Sequence, residues 1–375
     1  MVMRTRTSLW IGLGALLTLL LPAAGRAQGL ETVEAAFQAW VSENKVNQAS
    51  LAVARNRRLV LVRGSNIEPG GPVLLASLSK AITGACIGTL VDSGKLAFDT
   101  TVGTALAPFF QKNGEPANPR IKEATLTNLL AHRAGFQRSS GDPTTGVALA
   151  DYIHMNPVRD PAMAPLLVRT LKQRLTEAPG QGYNYTNSAY LMLGAIAEIA
   201  SGQPYETYCR DAVLRPMGIE GARLDPLWGG VLSSFGGWRM TGPQYLRFLE
   251  VFSRDSKVLG PRSRAYLVEG DGKWTSDRRD VFYALGTYVR ITANGRNVWH
   301  SGAWTYRASN PVNRNIAENH GTFAVSLANG VSWFASYNPR PGEGAVGELD
   351  RSINRALAAV ATWPEIDLYP QHGLK

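Results

Sequence analysis

Only two cysteines, Cys86 and Cys209, occur in 375 residues, far too few for a disulfide framework that stands in for a core. An oxidising compartment permits them to pair if the fold brings them together; two buried free thiols is the reading preferred here. Charged residues make up only 18% of the chain and hydrophobic ones 45%, so the chain can bury a large core, and disorder is excluded as its default state. There is no Gly-x-Ser-x-Gly elbow, no His-Glu-x-x-His helix, no Gly-x-x-x-x-Gly-Lys-Ser/Thr loop and no Cys or His pair at metal spacing. Metal and nucleotide chemistry lose support, and no metal or cofactor is expected. Basic residues outnumber acidic ones, 39 to 29, but they are scattered. The densest cluster, Arg55-Asn56-Arg57-Arg58, lacks the interleaved aromatics or long stripe of a nucleic-acid site and reads as a solvated hairpin turn.

Long apolar runs are absent too, with one exception near the start. Arg4 and Arg6 precede an apolar stretch from Leu9 to Leu21, followed by Pro22 and the small-residue exit Gly25-Arg26-Ala27. The stretch is shorter than the roughly 20 residues a spanning helix needs, so residues 1–27 read as an export signal cleaved after Ala27, and no transmembrane anchor is expected. With no lipid-accepting Cys and no Arg-Arg pair in it, ordinary export to the periplasm or medium is the expectation. Arg4, Arg6 and Arg26 leave with it and no acid does, so the remainder stays basic.

From Leu30 to Val46, Val33, Phe37, Trp40 and Val41 recur at helical spacing, which predicts an amphipathic first helix. Ser50–Ala54 and Leu59–Val62 flank the Arg55–Arg58 turn as two strands. Leu74–Gly94 is small and apolar apart from Ser77 and Lys80, and it predicts a buried helix stopping at Asp92-Ser93-Gly94. Residues 95–280 alternate Gly/Pro loops with helical runs at Thr125–Ala131, Ala189–Ser201, Tyr205–Leu214 and Pro243–Phe252. Strand patterning returns at Ala284–Ile291, Asn297–His300, Gly321–Leu327 and Ser332–Tyr337, with Asn294-Gly295 and Asn329-Gly330 as hairpin turns and a closing helix at Gly347–Thr362. Strands at both ends with helices between them predict an α/β (α+β) fold. Its antiparallel sheet is built from residues 30–75 and 281–375, a mainly helical region, 76–280, is inserted into it, and residues 28–375 form one unit.

Ser77-Leu78-Ser79-Lys80 opens the apolar helix, and residues three apart share a helix face, so Lys80 reaches the Ser77 hydroxyl. Desolvation in an apolar setting favours a neutral amine, which can take the serine proton. The motif alone is weak: Ser42-Glu43-Asn44-Lys45 matches it as well, on a polar face, and a packed serine with a snorkelling lysine explains either copy. Tyr185-Thr186-Asn187 precedes the helix from Ala189. There a phenol can relay a proton and an amide can hold a carbonyl substrate, while a helix cap and a packed aromatic are the plainer account. His300-Ser301-Gly302 ends a strand, where Gly302 admits substrate close to the backbone and His300 offers a donor. A satisfied strand-end histidine explains it equally. His132, His154, His320 and His372 lack that context.

Taken together and in this order, Ser77, Lys80, Tyr185, Asn187 and the His-x-Gly strand resemble the β-lactamase and penicillin-binding serine hydrolase superfamily, in its class C-like branch. The blocks Leu90–Leu96, Leu129–Phe136, Tyr190–Gly194, Gly229–Ser234 and Tyr283–Gly286 resemble family segments as well, so the likeness covers nearly all of the chain after residue 27. The resemblance implies that Ser77 is acylated, Lys80 activates it, Tyr185 passes the proton to the leaving group, and Asn187 orients Lys80 and the substrate amide or ester. It also implies that His300 completes the donors, and that the N–H groups of Ser77 and Ala303, beside Gly302, hold the oxyanion. His132 falls in a family loop without a catalytic role and is taken as structural; Phe136, Tyr183 and Trp304 are placed near the pocket by neighbourhood. The third motif is His-Ser-Gly where β-lactamases of this superfamily usually have Lys-Thr-Gly, so the cation that anchors a β-lactam carboxylate is missing. Weight therefore shifts to hydrolysis of small carboxylic esters or amides. A D,D-peptidase or β-lactamase acting on cell-wall peptides or β-lactams, and a non-catalytic ligand-binding or sensor module, remain as alternatives.

Overall fold

A computed structural model describes residues 29–136, 142–155, 163–275, 280–308 and 316–375. The export segment expected at 1–27 lies outside them. Helix α1 (Glu31–Glu43) buries Val33, Phe37, Trp40 and Val41, the stripe its spacing predicts. The strands β1 (Gln48–Arg55) and β2 (Arg58–Ser65) follow it as a hairpin, turned by Asn56 and Arg57, both at positive φ.

The 74–94 stretch is not one helix. It breaks into β3 (Val73–Leu74), a 3-10 turn at Ala76–Leu78 and the helix α2 (Ser79–Asp92). The break follows from Ala76, whose φ of +48° no continuous helix accommodates. Helix α2 is buried on every side from Ser79 to Gly88, which explains why the stretch has no polar face. The inserted region also holds the helix α3 (Asn187–Ser201), closed by Gly202 in the left-handed conformation, and strands β4 (Arg223–Leu224) and β5 (Trp238–Met240). With β3 they make a small sheet that the sequence reading did not foresee. Helix α4 (Gly229–Gly236) between them is kinked at Ser233.

The C-terminal third supplies β6 (Phe282–Ala284), β7 (Thr287–Thr292), β8 (Gly295–Ala308), β9 (Ile316–Ser326) and β10 (Val331–Asn338), then helix α5 (Glu343–Ala358). The predicted strand at 284–291 is split by a turn at Leu285-Gly286, while β8 runs well past its predicted end. The main sheet is antiparallel in the order β2-β1-β10-β9-β8-β7-β6, so segments from both ends of the chain share it. One face packs against α1 and α5 around Trp333, Val325 and Phe37; the other packs against the inserted helices around Leu78, Ile82 and Phe334.

Two details of the sheet position the site. Strand β7 pairs with β8 only as far as Trp299, so from His300 onward that side of β8 has no strand partner among the described residues. A Cβ added at Gly302 would lie 2.3 Å from Leu75 O. Glycine there lets β8 press against the turn before Ser77, and Thr322 Oγ1 donates to that same Leu75 carbonyl at 2.8 Å.

Candidate active site

Ser77 sits in the 3-10 turn and Lys80 in the first turn of α2. Lys80 is fully buried. Its Nζ lies 3.0 Å from Ser77 Oγ, 2.8 Å from Asn187 Oδ1 and 2.9 Å from Phe235 O. The last partner is available because Phe235 lies in the final turn of α4, where carbonyls have no partner within the helix. Behind α2, Thr83 Oγ1 donates to Ser234 O and meets Tyr205 Oη, each at 2.6 Å, and Trp238 Nε1 donates to Tyr205 Oη at 2.8 Å. A satisfied network of this kind fixes the helix rather than merely filling space.

Asn187 opens α3 and is held at both ends. Its Oδ1 accepts from Lys80, and its Nδ2 donates to Thr144 O at 3.0 Å. That carbonyl belongs to a turn built on Asp142, whose Oδ1 accepts from Thr144 N, Thr144 Oγ1 and Ser188 Oγ. The amide is thus committed to Lys80 and this turn. Tyr185 places its ring 5.0 Å from Lys80 Nζ and 5.8 Å from the His300 ring.

His300 differs from the sequence reading. Its Nε2 is 2.8 Å from Tyr283 Oη and its Nδ1 is 2.6 Å from Ser301 O. A carbonyl only accepts, so Nδ1 carries the proton and Nε2 accepts from the Tyr283 hydroxyl. Both nitrogens face protein partners, and the ring offers the pocket no donor. Burial, then the Lys80 charge, push its pKa down to about 3, while burial and neighbouring phenols hold Tyr283 well above the usual tyrosine range. Gly302, expected to admit substrate, also serves the close approach of β8 to the turn that carries Ser77.

Ser77, Tyr185, Asn187, His300, Gly302 and Ala303 line one cavity of about 490 Å³. Phe136, Tyr183 and Trp304 do not. Phe136 is core, Tyr183 Oη donates to Tyr288 Oη at 3.1 Å, and Trp304 packs on Trp228 with ring centroids 5.0 Å apart. The second Ser-x-x-Lys copy, Ser42 with Lys45, stands exposed around the end of α1.

A sequence profile of the Beta-lactamase family matches residues 31–345. The chain belongs to the β-lactamase family. Esterase EstB of Burkholderia gladioli is 29% identical to this β-lactamase-family protein over 212 residues, 53% of this chain and 52% of that one. A putative D-alanyl-D-alanine carboxypeptidase of Escherichia coli K12 is 28% identical over 214 residues, 51% and 47% of the two chains. The chain therefore spans about half the length of the curated relatives it matches. The octameric penicillin-binding protein homologue from Pyrococcus abyssi shares the fold at a TM-score of 0.66 and 17% identity, over 91% of this chain and 79% of that one.

The sequence reading of this β-lactamase-family protein missed Phe235, Tyr283 and the cavity-lining residues Thr145, Tyr288 and Arg340. Phe235 acts through its backbone, which no side-chain pattern reports, though the Gly229–Ser234 block ends beside it. Arg340 reaches the cavity only through the pairing of β10 with β9. A further correction concerns Cys86 and Cys209, which form a disulfide between α2 and the helix Tyr205–Cys209. Their 123-residue separation hides a proximity that helix packing creates. Among the described residues no helix is long and apolar enough to cross a membrane.

Two buried neutral histidines make stability pH-dependent. His300 titrates at about 3, and His132 lies well below the ordinary value through burial, then Lys80 and His300. An unfolded imidazole titrates near 6.5, so between these values the unfolded chain binds protons that the folded one does not. Their contribution is complete above pH 6.5 and is lost on acidification, at about 1.4 kcal/mol per pH unit for each ring. Urea unfolding at pH 7, 6 and 5 measures this slope, which should flatten when both are changed to glutamine.

Proposed function

We propose that this protein is an exported serine hydrolase that cleaves carboxylic esters or amides through an acyl-enzyme on Ser77. One observation carries the reading: the buried Lys80 amine stands 3.0 Å from Ser77 Oγ between the Asn187 and Phe235 carbonyl oxygens. Those oxygens only accept. In a neutral amine they therefore take both N–H bonds and leave the lone pair facing the serine hydroxyl.

The Ser77 proton passes to Lys80 as Oγ attacks the substrate carbonyl carbon, and the carbonyl electron pair becomes an oxyanion held by the N–H groups of Ser77 and Ala303. Collapse breaks the bond to the alcohol or amine, which leaves with a proton from Lys80 delivered through Tyr185. Water then attacks the acyl-enzyme and gives its proton to the same base. The carboxylic acid is released and Ser77 recovers its hydrogen. Export rests on the segment at 1–27 and is consistent with the Cys86–Cys209 bond, which belongs in an oxidising compartment.

A specific observation favours a second reading, cleavage of peptides or β-lactams that carry a free carboxylate. Arg340 lines the same cavity and brings a permanent cation that the His-Ser-Gly strand lacks. The relative named as a carboxypeptidase points the same way.

One set of assays tests both readings, using p-nitrophenyl acetate and a peptide ending in D-alanyl-D-alanine. Ser77→Ala should abolish turnover of both, and an unchanged ester rate in that variant sinks the hydrolase. Arg340→Ala should raise KM roughly tenfold or more for the peptide, the value of a lost charge-assisted hydrogen bond, and leave the ester alone. Equal shifts for the two substrates dispose of the second reading.

A further inference from the structure

His132, taken from the sequence as structural, follows the helix Leu126–Leu130 with a φ of +56°, a left-handed backbone uncommon outside glycine. Such outliers persist where the surroundings over-determine them, and they gather at functional sites. Two acceptors of this one residue engage the same neighbouring segment. His132 O accepts from Asn184 N at 2.8 Å, and Nδ1 accepts from Thr186 N at 3.3 Å, so the bonds flank Tyr185.

The loop is zipped to that segment on either side as well: Gly180 N donates to Arg133 O, Thr176 N to Gly135 O, and the Arg133 guanidinium to Gln181 O. The buried Arg133–Asp271 ion pair, at 2.6 Å, anchors the zip from outside. The His132 ring lies 4.3 Å from the Tyr185 ring, 5.0 Å from Tyr190 and 4.6 Å from Tyr283. Because Nδ1 accepts, the proton resides on Nε2, which has no hydrogen-bond partner among the described residues. The titratable groups facing the ring are Lys80 and His300, with the phenols of Tyr183, Tyr185, Tyr190 and Tyr283. Burial, Lys80 and His300 all disfavour an imidazolium, so Nδ1 remains an acceptor.

We propose that His132 is a positioning residue, which clamps the Asn184–Thr186 backbone from both sides of Tyr185 and so holds the phenol in place against Lys80. This rests on the hydrolase reading above. A ring that merely filled space would be replaced without chemical consequence by phenylalanine, which keeps the packing and loses only the acceptor. Asparagine does the reverse, presenting an oxygen close to where Nδ1 stands.

The test compares His132→Phe and His132→Asn in the full chain, reading kcat and KM for p-nitrophenyl acetate, the rate at which a fluorophosphonate labels Ser77, and thermal melting. A displaced catalytic group costs up to about a hundredfold. His132→Phe should therefore lose about that much in kcat and labelling rate with KM nearly unchanged, and His132→Asn should recover most of it. Labelling of His132→Phe at the wild-type rate overturns the proposal, as does a folded His132→Asn no better than it. Should the phenylalanine variant not fold, nitrogen-15 NMR of the wild-type protein decides: Nε2–H with a bare Nδ1 at pH 7 supports the clamp, and an imidazolium or Nδ1–H form overturns it. A wild-type Ser77 that does not react with the probe overturns the hydrolase reading and this inference with it.

Discussion

Replacing Lys80 by methionine is expected to lower kcat/KM by about 10²- to 10⁴-fold, the value of a positioned general base, while the protein stays folded. Two effects on stability oppose each other. Methionine fills a similar volume and relieves the desolvation of a buried amine, worth about 1 to 3 kcal/mol. It also leaves Asn187 Oδ1 and Phe235 O without the donor they have at 2.8 and 2.9 Å, at about 1 to 3 kcal/mol for each buried acceptor. The two acceptors together cost about 2 to 6 kcal/mol against about 1 to 3 regained, a net destabilisation of about 2 kcal/mol at mid-range, so the urea midpoint should fall modestly while ester turnover collapses. Retained turnover in a folded Lys80→Met protein would mean that some other group takes the serine proton.

Changing Cys86 and Cys209 together to alanine is expected to cost about 4 kcal/mol of unfolding free energy, near the top of the 2 to 5 kcal/mol that such bonds supply. The estimate is high because the bond closes a 123-residue loop, and loop-closure entropy rises with length. Both side chains are fully buried, but trading a sulfur for hydrogen removes little packing. The loss therefore acts mainly through a freer unfolded chain, and the urea m-value should rise with it. Urea titrations of oxidised, reduced and doubly substituted protein check this; identical midpoints for the first two would show that the bond contributes nothing. Activity at low urea should be unchanged, because Ser77 and Lys80 are fixed by their own contacts nearly two turns ahead of Cys86.

Much of the architecture was legible because it is written in local periodicity. The α1 stripe follows from side chains meeting one buried face, and the hairpin across Arg55–Arg58 and the strands β9 and β10 from β-prone apolar runs bounded by turn residues. The misreadings fall where tertiary contact overrides local preference. Ala76 interrupts an otherwise helical stretch so that Ser77 meets β8. The strand around 284–291 is cut at Leu285-Gly286, where a Cβ on Gly286 would lie 2.1 Å from Lys80 O. Both breaks bring backbone against backbone beside Ser77 and Lys80, and no hydrophobic pattern encodes that.

By itself the sequence determined the family and the sheet assembled from both ends of the chain, and it offered Ser77, Lys80, Tyr185 and Asn187 as candidates, because motif and local pattern carry each of these. Tertiary structure alone decided what each side chain meets. It turned both His300 nitrogens into the protein, joined two cysteines 123 residues apart, gave Lys80 a backbone carbonyl as its third partner, and brought Arg340 into the cavity. Hydrogen bonds and charge interactions act over a few ångströms of space and are blind to separation along the chain, so partners such as these emerge only once the helices and the sheet have packed.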